Sequence, residues 1–91
     1  MFMVQCFDKP DSLALRQATR PAHLEHLKGK LDHVIAAGPL LAEDGETPIG
    51  SGYVLDFADK AAVEAFFAAD PYVKAGLYAS VTIHPYKKIL P

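Results

Sequence analysis

The chain has 91 residues, 51% of them apolar, and a formal charge of −2 at pH 7. That length predicts one domain, residues 1–91, with one modest core. The interspersed charges exclude nucleic-acid binding through phosphate contacts and a polybasic membrane anchor, and no run approaches the roughly 18 apolar residues of a membrane span.

Met1 to Phe7 lacks the charged leader and cleavage site of a signal peptide. Its one cysteine, Cys6, has no partner for an internal disulfide, which predicts a cytoplasmic setting. So high an apolar share in so short a chain also predicts an oligomer, because the excess surface needs a cover.

Residues 1–7 are apolar on both parities and predict a strand buried on two faces. Residues 8–12 carry turn chemistry, and residues 13–18 are ambiguous, with room for an extra helical turn. The main helix is predicted over residues 20–33, with Pro21 at its first position and Thr19 or Arg20 as the cap. Leu24, Leu27, Leu31 and Val34 form its apolar stripe. His23 lies at the edge of that stripe, partly buried yet reachable, whereas His26 and His33 point toward solvent.

Residues 33–37 predict a strand closed by Gly38-Pro39, and residues 43–48 a polar hairpin loop. Residues 49–57 predict a third strand, whose early glycines permit a bulge or the close approach of a ligand. Asp59 caps a second helix over residues 60–69, burying Val63, Phe66 and Phe67. Asp70-Pro71-Tyr72 ends it, residues 73–78 form a turn or loop, and residues 79–86 give an edge strand marked by Pro85.

The order βαββαβ predicts an α+β ferredoxin-like sandwich: a four-stranded antiparallel sheet with both helices on one face. If strand 1 runs up, the start of helix 1, the end of strand 2, the start of strand 3 and the end of helix 2 all meet at the top. Connectivity therefore gathers Arg20, His23, Gly38, Pro39, Ser51 and Asp70 at one end of the molecule. A second subunit would cover the sheet's other face.

The same residues carry a family resemblance. Arg20-Pro21-Ala22-His23-Leu24, Ala37-Gly38-Pro39, Gly50-Ser51 and the run from Asp70 to Tyr78 stand in the order and spacing of the YciI-like (YCII-related) family, and Ile83 to Ile89 resembles its ending. The resemblance implies a dimeric α+β barrel and an active site built on a histidine–aspartate pair, here His23 and Asp70. It implies no metal and no organic cofactor. A related branch is similar to dehydrochlorinases of chlorinated-aromatic breakdown, and the fold is shared with muconolactone isomerases. The loop at residues 43–48 is shorter than the family pattern, which leaves the substrate open.

Histidine titrates near neutrality, so His23 can take and return a proton. Asp70 can fix its tautomer and stabilise its charged form, or serve as a helix cap, or do both. Arg20 can clamp a carboxylate or phenolate, and Ser51 can donate a hydrogen bond. Gly38 and Pro39 would line the substrate site, although Gly38 also answers a backbone need before Pro39. His33 stands ~15 Å along the helix from His23, so the histidines do not close one metal site. His84 reads as a surface or interface residue, and Cys6 as a small buried hydrophobe. The βαββαβ order also occurs in RNA-binding RRM domains. Here the strand-3 motif lacks its leading base and the net charge is wrong.

These features predict a cytoplasmic homodimer that performs cofactor-free proton transfer on a small anionic or phenolic molecule, by elimination or isomerisation. The alternatives are a non-catalytic binding or accessory module and a cofactor-free oxygenase on the same barrel.

Overall fold

The computed structural model describes residues 1–91. Strand β1 (Phe2–Asp8) is followed by helix α1 (Leu13–Lys28), a 3-10 turn (Leu31–His33), strands β2 (Val34–Leu41) and β3 (Pro48–Leu55), helices α2 (Lys60–Ala68) and α3 (Pro71–Lys74), and strand β4 (Tyr78–Pro85). All pairings are antiparallel and the strand order is β2-β3-β1-β4. This is the ferredoxin-like sandwich that the element order implied.

One face of the sheet builds the core. Phe2, Val4 and Cys6 of β1 alternate inward, beside Tyr53 and Leu55 of β3. Leu27 of α1 and Val63, Phe66 and Phe67 of α2 close over them, so both long helices sit on that face. Burying each such side chain is worth roughly 1.5–3 kcal/mol. The other face carries Met3, Gln5 and Phe7, all exposed within this chain. Strand β1 is therefore covered on one face of the sheet, not two, within this chain.

Helix α1 departs most from the sequence expectation. It starts seven residues earlier than predicted, at Leu13, and holds Pro21 in its interior rather than at its first position. Residues 13–18 are good helix formers, and the Arg16 N–H donates to the Ser12 carbonyl at 2.9 Å to close the first turn. An interior proline gives up one helical bond at about 3 kcal/mol; the turns before it are tied to the end of β1 by the bonds from Arg16 to Asp8. Gly29 ends the helix, so Leu31 leaves the apolar stripe and is 62% exposed.

The glycine-rich start of β3 carries the irregularity that its glycines permit, a shift in the β2–β3 register between Leu40 and Leu41 opposite Gly50 and Pro48. A side chain at Gly50 would collide with the Cys6 carbonyl of β1. The close approach is made by a neighbouring strand, not a ligand.

Candidate functional site

Helix α1 presents Arg16, Arg20 and His23 along one side, and α3 brings Asp70 and Tyr72 against it. His23 Nδ1–H donates to Asp70 Oδ1 at 2.8 Å, with the histidine 6% exposed and the aspartate 0%. The Tyr72 N–H donates to the same oxygen at 2.9 Å, so Asp70 is at once the N-cap of α3 and the partner of His23. Its other oxygen, Oδ2, is buried and makes no hydrogen bond. The bond is made through Nδ1, and His23 Nε2 has no hydrogen-bond partner within the chain.

Arg16 forms the second half of the site. Its Nε and Nη2 grip both oxygens of Asp8 at 2.7 and 2.9 Å, and Nη2 also donates to Ser51 Oγ at 2.7 Å. Both members of the ion pair are nearly buried. Burial opposes the charged guanidinium, but the Asp8 hydrogen bond and charge outweigh it and hold the Arg16 pKa above its usual value. The Tyr72 ring stacks on the His23 imidazole at 3.9 Å between centroids, and Arg16 Cζ lies 4.8 Å from the same ring. Arg16 and His23 are two turns apart on α1, a rise of about 10 Å. Tyr72 fills the space between them.

Ser51 Oγ also accepts from the Tyr78 hydroxyl at 2.8 Å, and the Tyr78 and Tyr53 hydroxyls lie 2.9 Å apart. Burial pushes the Tyr53 and Tyr78 pKa values up, so both phenols keep their protons. Burial, together with the Asp70 and Asp8 charges, pushes the Cys6 thiol up to about 12. Cys6 is thus an inert thiol behind the site.

Arg16, His23, Ser51, Tyr53 and Tyr72 wall a cleft of about 180 Å³ between α1 and the β2–β3 edge. The structure brings all six predicted residues together there: His23 and Asp70 bonded to each other, and Arg20, Gly38, Pro39 and Ser51 on the lining with His23. Arg20 is exposed at the mouth and forms no ion pair within the chain. Sequence reading missed Asp8, Arg16, Tyr53, Tyr72 and Tyr78. A helix begun at Leu13 would have revealed that Arg16 and His23, seven residues apart, share a face.

The other histidines do not point freely to solvent as expected. His26 Nε2–H donates to the Phe66 carbonyl and its ring stacks on Phe66, while His33 Nδ1–H donates to the Asp56 carbonyl and stacks on Phe57. No three histidine, cysteine, aspartate or glutamate side chains converge as a metal-binding group.

The chain matches the YCII-related domain over residues 1–87. It is 36% identical over 96 residues to Protein YciI of Escherichia coli O6:H1, covering 98% of each chain. It is 35% identical over 95 residues to an uncharacterized protein of Haemophilus influenzae, covering 97% of each. Among solved structures it is similar to the 5-chloro-2-hydroxyhydroquinone dehydrochlorinase of Burkholderia phenoliruptrix in complex with 2,5-dihydroxybenzoquinone. There the TM-score is 0.86 with 28% identity, covering 94% of this chain and 92% of that one. An antibiotic biosynthesis monooxygenase shares the fold alone, at a TM-score of 0.58 and 13% identity over 98% of this chain and 97% of that one. Both neighbours are ferredoxin-like proteins of the dimeric-barrel type, and this chain shares their α+β fold. The chain belongs to the YCII-related domain family.

Proposed function

We propose that this protein is a cofactor-independent acid–base enzyme acting on a small anionic or phenolic ring, by elimination or isomerisation. The observation that carries the reading is the buried His23–Asp70 bond beside a cleft that His23 lines together with Arg16, two turns earlier on α1, and Ser51 of β3. His23 Nε2 takes a proton from a substrate carbon. The electron pair moves onto a substrate oxygen held by Ser51 O–H and the Arg16 guanidinium. Return of that pair expels a leaving group from the neighbouring carbon, or places the proton on a different carbon.

A general base contributes roughly 10²–10⁴-fold, and one well-aimed donor at the developing oxyanion another 10²–10³-fold. Asp70 keeps His23 in the tautomer with Nε2 unprotonated and offsets the imidazolium charge once it forms. Arg20 meets a second acidic group at the mouth. Gly38 and Pro39 line the opening without a side-chain donor.

The protein acts as a cytoplasmic homodimer. The support is the unpartnered sheet face, where Met3 and Phe7 are 36% and 45% exposed beside Val54 and the Gly38–Gly52 pair. No helix is long and apolar enough to cross a membrane.

The test is turnover of chlorinated and unchlorinated hydroxyhydroquinones by wild type, His23→Ala and Asp70→Asn, read as chloride release and as the product spectrum. Turnover lost in His23→Ala supports the reading. Tight binding of these compounds without turnover by wild type replaces it with a binding module.

A further inference from the structure

Three hydroxyl groups, from Tyr53, Tyr78 and Ser51, form one continuous chain ending at the cleft. Its direction follows from the bond that the Tyr78 hydroxyl donates to Ser51. Arg16 has donors and no acceptor, so its bond to Ser51 Oγ occupies one Ser51 lone pair. The Tyr78 hydroxyl donates to Ser51 and occupies the other. Having given its proton to Ser51, Tyr78 accepts from Tyr53. Every hydroxyl proton then has an acceptor except that of Ser51. Ser51 is 3% exposed and lies on the cleft wall.

We propose that Tyr78, held in turn by Tyr53, is a positioning residue that fills the second lone pair of Ser51 and so commits the serine proton to an oxygen of the bound molecule. This rests on the function proposed above, and adds Tyr78, which lies behind the cleft lining, and Tyr53, which holds it. The arrangement favours an acceptor oxygen, above all an anionic one, opposite Ser51. A ligand hydroxyl needing an acceptor there would find both lone pairs occupied. Chains of hydrogen bonds polarise one another, so Tyr53 and Tyr78 strengthen Ser51 as a donor when charge develops on that oxygen. Strand register explains why the chain can exist. Ser51 and Tyr53 point to the same face of β3, and Tyr78 opens β4 beyond the register shift after Phe7.

Two measurements test this. In the ligand-free protein, NMR of tyrosine hydroxyl protons should show slowly exchanging signals for Tyr53 and Tyr78. Ser51→Ala should release the Tyr78 proton and leave that of Tyr53 in place. If the chain ran the other way, Ser51→Ala would leave the Tyr78 proton bonded to Tyr53 and unmoved, and that result overturns the proposal.

The second measurement titrates 2,5-dihydroxybenzoquinone. Tyr78→Phe should weaken binding about threefold to tenfold and Ser51→Ala about tenfold or more. The double variant Ser51→Ala/Tyr78→Phe should equal Ser51→Ala alone, because Tyr78 acts only through Ser51. Additive losses, or a Tyr78→Phe protein that binds as wild type does, contradict the proposal. If wild type fails to bind the quinone, the proposed substrate class fails, and the hydroxyl signals still decide the chain.

Discussion

His23 Nδ1 lies 2.8 Å from Asp70 Oδ1, joining residues 47 apart in sequence and both nearly sealed from water. Asp70→Asn keeps an oxygen for both the His23 and Tyr72 bonds but removes the charge that offsets imidazolium. The variant should fold, and turnover should fall about 10²–10⁴-fold. Asp70→Ala also strips the cap of α3, worth typically about 1 kcal/mol. It should melt below Asp70→Asn, as read by thermal denaturation.

Arg16 and Asp8 form a two-pronged pair with little access to solvent. Removing one partner leaves the other's charge buried and unpaired, at about 3–5 kcal/mol. Arg16→Ala and Asp8→Ala should each show that loss in urea denaturation. Arg16→Lys should keep more stability yet bind oxyanions poorly, since an ammonium cannot reproduce the fork.

The raised thiol of Cys6 sets an alkaline limit on stability. Below pH 9 the thiol is protonated whether the chain is folded or unfolded, and contributes no pH dependence. Between pH 9 and about 12 the unfolded chain ionises while the folded one does not, so stability falls as pH rises. Each such group adds a slope of about 1.4 kcal/mol per pH unit. Tyr53 and Tyr78, raised in the same direction, join above pH 10. Denaturation across pH 8–11 should show the fall, and Cys6→Ala should remove its first part. At pH 8 native Cys6 should resist iodoacetamide and react only after unfolding.

The outward sheet face gives a test of assembly. Phe7 and Met3 stand beside Gly50 and Val54 in register. Phe7→Lys places a charge in what would be an apolar interface, and should convert a dimer to a monomer in analytical ultracentrifugation without unfolding it. A wild-type protein that sediments as a monomer contradicts the homodimer.

The antiparallel four-stranded sheet, both helices on one face and one end of the sandwich as the meeting point of His23, Asp70, Arg20 and Ser51 were legible in the sequence, because strand periodicity and short antiparallel connections constrain the topology. The reach of α1 was not. Pro21 reads as a helix start by local chemistry, and the contacts that tie down the turns before it, such as Arg16 with Asp8, join separate elements. The roles of Tyr53, Tyr72 and Tyr78 were hidden for a similar reason. A tyrosine in a strand or after a turn reads as core, and only tertiary packing places one beside Ser51 and another between Arg16 and His23.

Proton transfer by His23 is tested most directly by solvent-deuterium exchange into small hydroxylated quinones, followed by mass spectrometry. Exchange at carbon needs no knowledge of the leaving group. Wild type should catalyse it, with a loss of about 10²–10⁴-fold in His23→Ala. Equal exchange by wild type and His23→Ala, or none by wild type on compounds it binds, would contradict the dyad's role.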